Sequence, residues 1–273
     1  ARLPYADNTV DVVIATQAGG QALEVLSLPE ILRVLRPEGV AIIGKALQSA
    51  GADADPVALK KWVGRKPTTD LTSWSDATGT WIQFRKPLRA GIDEWTHWEK
   101  GPDNNPVSTD SVIRAPYMTQ FMADPLYIGM PSVTTAAGGR TFLAIGHIAH
   151  HAREWDTLYK LIARNGYNGT VLWSRDLPQG YQVHRSAFIA TATTFYMING
   201  DHAQLLDPAT GAVKGRIRLP GVTGFWKWMV LRDNVLYVLT GKREPGTRPM
   251  KGDRTFGGWS WGDLSPGYYG KDV

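Results

Sequence analysis

The sequence predicts an α/β unit followed by an all-β unit of propeller type. Three observations carry this reading: a strand–helix–strand pattern within residues 1–46, a repeat with a period of 42 residues in the second half, and tryptophans confined to Trp62 and beyond. At 273 residues, with 43% hydrophobic and 20% charged side chains, the chain suits one large domain or two ordinary ones and can bury a sizeable core. Lysine and arginine number 30 against 25 acidic residues, a net charge of +5, and no basic block stands out. Phosphate binding needs clustered cations, so nucleic acid is not an expected partner. The chain has no cysteine, which excludes disulfides, thiolate metal sites and cysteine nucleophiles. No apolar run reaches the roughly 18–20 residues that span a bilayer.

Val10-Asp11-Val12-Val13-Ile14-Ala15-Thr16 is a short β-branched run, predicted as a strand buried on both faces. Ala22 to Leu35 has helical spacing at Leu23, Leu26, Ile31, Val34 and Leu35, with Arg33 and Arg36 near its end and Pro37 and Gly39 as stops. Val40-Ala41-Ile42-Ile43-Gly44 reads as a second buried strand. Together they form a βαβ crossover, which implies parallel strands.

These residues resemble a known family. Leu3-Pro4-Tyr5-Ala6-Asp7-Asn8-Thr9-Val10-Asp11-Val12-Val13 is similar to the "LPF-x-D-x-x-F-D-V-V" stretch of class I S-adenosylmethionine-dependent methyltransferases. Glu30-Ile31-Leu32-Arg33-Val34-Leu35-Arg36-Pro37-Glu38-Gly39-Val40 is similar to the "E-x-x-RVL-(K/R)-P-GG" stretch before their fifth strand. Val10 replaces the usual aromatic, and Glu38 the first glycine of the usual pair. The resemblance implies a partial Rossmann-like unit, the C-terminal half of a cofactor fold. Its glycine-rich loop and acidic residue belong upstream of Ala1, so the chain is read as a fragment. The resemblance further implies that Ala1 and Leu3 border the adenine of S-adenosylmethionine and that Ala15, Thr16 and Gln17 line the cofactor cleft, where open parallel sheets bind ligands. The alternative is that these are plain core and loop residues of a degenerate domain. Methyl transfer needs no obligatory nucleophile, since orientation supplies much of the rate, and no catalytic residue is assigned.

Between the two units, Asp55-Pro56 opens a helix through Val63, with proline in its first turn. Thr80 to Lys86 alternates as a strand that closes the sheet, and Pro87 ends it. The turn formers of Gly101-Pro102-Asp103-Asn104-Asn105-Pro106 mark an ordered loop. The expected domains are residues 1–90, a linker over 91–116, and an all-β unit over 117–273.

In the second half, Leu161 to Trp173 matches Gln204 to Lys214, with Gly169 and Gly211 42 residues apart. Each copy reads as a strand, a tight turn that starts on Asn or Asp and ends on Gly, and a second strand. The preceding strands also recur, as Thr141–Ile145, Thr194–Ile198 and Val235–Leu239, each introduced by a turn at Gly138-Gly139, Ala192-Thr193 or Asp233-Asn234. A period near 42 with about four short strands per unit is the signature of a β-propeller blade. About three blades fit, fewer than closure requires, and both ends are read as cut.

The pattern carried by Ala163, Asn165, Gly169 and Trp173 resembles the repeat of pyrroloquinoline-quinone-type (quinoprotein-like) propellers. The second copy keeps Asp207 and Gly211 but has Gly215 in place of the tryptophan. With the methyltransferase-like segment, the whole chain is similar to large planctomycete-type fusion proteins that carry both units. Propellers of this type are commonly exported, so the resemblance leans toward the cell envelope or periplasm, whereas S-adenosylmethionine is cytoplasmic.

Among the residues that could carry chemistry, His147, His150 and His151 lie in an insertion after the Phe142–Ile145 strand, where three imidazoles could bind a metal or simply form an exposed loop. Asp93, Glu94 and His97, with Trp95 and Trp98, admit acid–base work or a structural cap on the propeller. Trp226, Trp228, Trp259 and Trp261 admit stacking on a quinone or sugar, or packing between blades. Three functions compete. One is a parent protein transferring a methyl group from S-adenosylmethionine to an unknown small-molecule or protein acceptor, this fragment alone being inactive. The second is a non-catalytic propeller scaffold with a degenerate α/β remnant. The third, quinone-dependent oxidation, is weaker, because blade resemblance does not imply the quinone.

Overall fold

The computed structural model describes residues 2–47, 54–116, 118–178, 181 and 183–241. These residues are mostly β, in one mixed sheet and several small antiparallel ones. The chain divides into two compact units, residues 1–92 with 111–120, and residues 93–110 with 121–273.

The first unit runs β1 (Val10–Ala15), α1 (Gln21–Val25), α2 (Leu28–Val34), β2 (Leu35–Ala46), α3 (Pro56–Val63), β3 (Thr69–Asp76) and β4 (Gly79–Arg85). Its sheet has the order β1-β2-β4-β3. β1 and β2 are parallel, with Val12 opposite Val40 and Ala15 opposite Ile43, as the βαβ pattern predicts. β4 lies antiparallel between β2 and β3. The result is a small mixed sheet with one parallel pair, where a partial Rossmann-like unit was expected. Leu23, Leu28, Ile31, Ile43, Leu59, Val63, Ile82 and Phe84 form the core.

Three details differ from expectation. The single helix over Ala22–Leu35 is two, because Ser27 turns extended and its hydroxyl accepts the Glu30 N–H while Pro29 sits in the first turn of α2. Pro37 and Gly39 therefore lie within β2 rather than ending a helix. β1 is not buried on both faces: Val13 and Ala15 pack on the core, whereas Val12 and Ile14 are exposed by 48% and 61%. The expected helix after Asp55 is present, its N-terminus capped by the Asp55 carboxylate accepting from Val57 N–H at 2.9 Å.

The second unit begins with β5 (Met130–Ala137), β6 (Arg140–Ile148), β7 (Lys160–Asn165) and β8 (Val171–Asp176), an antiparallel meander in that order. A second meander follows from β9 (Phe188–Ala190), β10 (Phe195–Asn199), β11 (His202–Leu206) and β12 (Val213–Ile217). β13 (Phe225–Arg232) and β14 (Val235–Gly241) form a hairpin. Each four-stranded meander has the form of a propeller blade. The expected recurrent strands are β6, β10 and β14. The insertion that lengthens the first repeat lies between β6 and β7 and holds a 3₁₀ turn over Ala152–Thr157.

The repeated turn has the same chemistry in both copies. Gly169 N–H donates to Asn165 O at 2.9 Å, and Gly211 N–H to Asp207 O at 2.8 Å. The side chains of Asn165 and Asp207 accept from the backbone two residues on, at 2.9 and 2.8 Å. Both glycines have left-handed φ, 76° and 72°, which is why glycine closes each copy. Trp173 of the first meander lies on the turn of the second. Its indole N–H donates to Pro208 O at 3.1 Å, and a Cβ on Gly211 would meet its ring at 2.7 Å. Phe121 covers Gly169 in the same manner. The interior between the sheets is filled by Phe142, Phe188 and Phe195, with Phe142 and Phe195 centroids 4.7 Å apart.

Candidate functional site

Beyond Ala15 the chain stays tied to the end of β2. Ala46 N–H donates to Thr16 O at 3.1 Å and Ala18 N–H to Gly44 O at 2.8 Å. Gly20, with φ 52°, then turns the chain into α1. These bonds set Ala15, Thr16 and Gln17 around a hollow of about 320 Å³ at the carboxyl end of β1, with Ala18, Ala22 and Leu26 completing its lining. The walls are small and apolar, and the Thr16 hydroxyl and Gln17 amide are the polar side chains among the six. None of the six titrates in the physiological range. Sequence reasoning missed Ala18, Ala22 and Leu26, whose signal was their place on the first turns after the strand.

Leu3 is elsewhere. Its N–H donates to Glu30 Oε1 at 2.6 Å and its carbonyl accepts from Arg33 at 3.0 Å. Arg33 also binds Tyr5 O at 2.9 Å and the Asp7 carboxylate at 2.6 Å, so this guanidinium fastens residues 3–7 to α2. The bond from Arg33, with the Leu3 N–H, holds the Glu30 carboxyl down at about 2, and the same pairing pushes Arg33 above its ordinary value. Ala1 lies outside the described residues.

His147, His150 and His151 differ in their surroundings. His147 is buried on β6 beside Tyr159, whereas His150 and His151 are exposed. The adjacent carboxylate, Glu154, accepts the backbone N–H groups of His150 and His151 at 2.7 and 3.3 Å, which hold it below its ordinary pKa. Among the described residues no three His, Cys, Asp or Glu side chains are arranged to hold a metal ion.

Asp93, Glu94 and His97 are engaged in holding loops. Asp93 accepts from Thr109 N–H at 2.6 Å and Ser108 Oγ at 3.0 Å, and Glu94 accepts from Gly138 N–H at 2.9 Å. Burial pushes the Asp93 carboxyl up, but the bonds from Thr109, Ser108 and Glu94 with the nearby Lys100 charge outweigh it and hold it below its ordinary value. The Trp95 backbone bonds that of Ala136 in both directions, and Trp98 lies against the core with the Arg185 guanidinium 4.1 Å from its ring centroid. Trp226 is 2% exposed, inside the core, and is therefore not free to stack on a ligand. Trp259 and Trp261 lie outside the described residues.

No family model matches the chain, and no curated protein matches it. Among solved structures, BamB from Moraxella catarrhalis is similar over 40% of this chain and 30% of that one, at 16% identity and a TM-score of 0.28. The match thus spans about a third of BamB. No helix among the described residues is long and apolar enough to cross a membrane.

Proposed function

We propose that the first unit is the carboxyl-terminal half of an S-adenosylmethionine-binding fold, serving a protein that transfers a methyl group to an acceptor bound through propeller blades. The carrying observation is the hollow at the carboxyl end of β1, where Ala15, Thr16 and Gln17 meet. Ligands of open α/β sheets lie beyond the carboxyl ends of parallel strands. The strand order β1-β2-β4-β3, with β4 antiparallel between its neighbours, fits the end of such a sheet.

The lining fits one edge of a nucleoside. Ala15, Ala18 and Ala22 leave room for a flat ring, and the Thr16 hydroxyl and Gln17 amide can meet its polar rim. Bound there, S-adenosylmethionine would supply the methyl group. This chain's residues contribute only binding and orientation, since none of the six can exchange a proton near neutral pH.

The test is a titration of the ¹⁵N-labelled chain with S-adenosylhomocysteine. Expected are amide shifts confined to Ala15–Ala18, Ala22 and Leu26, with an affinity of about 1 mM, as a half-site binds. The shifts should vanish in a Thr16→Val, Gln17→Leu variant. No shift at these amides would sink the proposal. Micromolar binding would overturn the expectation that this chain alone is inactive.

A second reading, a non-catalytic binding scaffold, draws on a specific observation: Asp93, Glu94 and His97 are all spent on holding the β unit together. The envelope location implied by the blade resemblance also favours it, because it would separate the hollow from cytoplasmic S-adenosylmethionine.

A further inference from the structure

We propose that Trp95–His97 is an acid-opened clasp that joins the leading strands of the three β sheets at one end, with neutral His97 as its latch. Three consecutive residues each hold a different sheet. Trp95 exchanges backbone hydrogen bonds with Ala136 of β5, at 2.9 and 2.6 Å. Thr96 O accepts from Ala190 N–H of β9 at 2.9 Å. His97 Nε2 accepts from Leu231 N–H of β13 at 3.2 Å. Ala136, Ala190 and Leu231 all lie at the carboxyl ends of their strands.

The third of these bonds requires one protonation state. Thr96 Oγ1 donates its single hydrogen to Lys100 O at 3.2 Å, so its 2.8 Å bond with His97 Nδ1 has the imidazole as donor. A neutral ring protonated at Nδ1 leaves a lone pair at Nε2, where Leu231 N–H points. A proton added at Nε2 would face that N–H head to head and remove the bond to β13. The first two bonds are between backbone groups and do not titrate.

His97 is 7% exposed. Of the charged groups around it, Asp103 on its own loop favours the protonated ring, and burial opposes it more strongly. Lys100 is paired with Asp93 at 3.5 Å, Glu94 is bonded to Gly138, Arg185 lies over Trp98, and on β13 Arg232 is 3.6 Å from Asp233. Burial lowers the His97 pKa from 6.5 to about 4. A group depressed on folding contributes stability that is complete above 6.5 and is lost as pH falls toward 4. At about pH 5 this linkage lowers the folding equilibrium constant roughly 30-fold relative to neutral pH.

Two measurements test the clasp in the whole chain. The imidazole ¹⁵N shifts of His97 should report an Nδ1–H tautomer at neutral pH and a titration midpoint near 4. As the ring titrates, the Leu231 amide should lose protection while the Trp95 and Ala136 amides keep theirs. His97→Gln offers a non-titrating carbonyl acceptor and should remove the 30-fold step between neutral pH and about pH 5, leaving the rest of the acid profile, including that of half-buried His184, in place. An Nε2–H tautomer, a midpoint near 6.5, or a His97→Gln protein with the wild-type acid step would each overturn the proposal. Should that variant not fold, the tautomer and midpoint of the wild-type ring still decide it.

Discussion

The contact between Trp173 and Gly211 makes a sharp test of how one meander holds the next. Gly211 has φ 72°, so an alanine there adopts a left-handed conformation at a cost of about 1 kcal/mol. Its Cβ would also lie 2.7 Å from Trp173 Cδ2 and 2.8 Å from Cε3, well inside contact distance. The indole must move, and its N–H then loses Pro208 O, worth about 1 kcal/mol, together with part of its ring contact. Gly211→Ala should therefore destabilise the second unit by about 2–4 kcal/mol. Gly215, four residues on in β12, has no atom within 4 Å of its would-be Cβ. There alanine only relieves the entropy of a strand glycine, so Gly215→Ala should be neutral or stabilising by up to about 1 kcal/mol. Urea unfolding followed by circular dichroism reads both, and a double-mutant cycle separates clash from backbone strain. In a Trp173→Ala background the Gly211→Ala penalty should fall to the strain alone, about 1 kcal/mol. Equal shifts for the two glycines, or no relief in the Trp173→Ala background, would refute the docking of one meander on the turn of the next.

Three further outcomes are expected. Asp55→Ala removes the acceptor for Val57 N–H and should cost about 1 kcal/mol, read as a loss of helicity in α3 by hydrogen exchange. Glu30, held at about 2 against an ordinary 4.5, should keep residues 3–7 fastened above pH 4.5 and release them as pH falls toward 2. Carboxyl ¹³C shifts should give that low midpoint, and Glu30→Gln should abolish the step; a midpoint at the ordinary value would remove Glu30 from the tether. Trp226→Ala should destabilise the second unit by about 3–5 kcal/mol in thermal unfolding, as a core residue does, whereas a ligand-stacking tryptophan would leave stability unchanged.

Most of the β unit was legible because its signals are local. Asn165 and Asp207 each bond the backbone two residues on, and Gly169 and Gly211 each take the left-handed position, so a few residues specify each turn wherever it lies in space. Asp233 and Asn234 act likewise, with φ 50° and 62° between β13 and β14. β3 escaped notice because Thr69–Asp76 has only Leu71 and Trp74 as apolar side chains and is nearly all exposed, leaving no apolar alternation to read. The break between α1 and α2 was written in Ser27 and Pro29, but the apolar spacing on either side concealed it. The faces of β1 could not be read at all, since Val12 and Val13 have the same chemistry and only their non-local neighbours differ.

The sites divide along the same line. Ala15, Thr16 and Gln17 drew attention because they follow directly on a strand whose end is where α/β ligands bind, and they line a hollow there. The three histidines drew attention through closeness in sequence, but the extended backbone at the end of β6 separates a buried His147 from an exposed His150 and His151. His97 shows the converse. Its decisive partner, Leu231, is 134 residues away, and its tautomer is set by Thr96 and Lys100 next to it. Local spacing gives a histidine its neighbours, but only the distant contact gives the proton a consequence. The titration of His97, rather than the count of histidines between residues 147 and 151, is therefore one place where acid should act on this fold, beside those of His184 and Glu30.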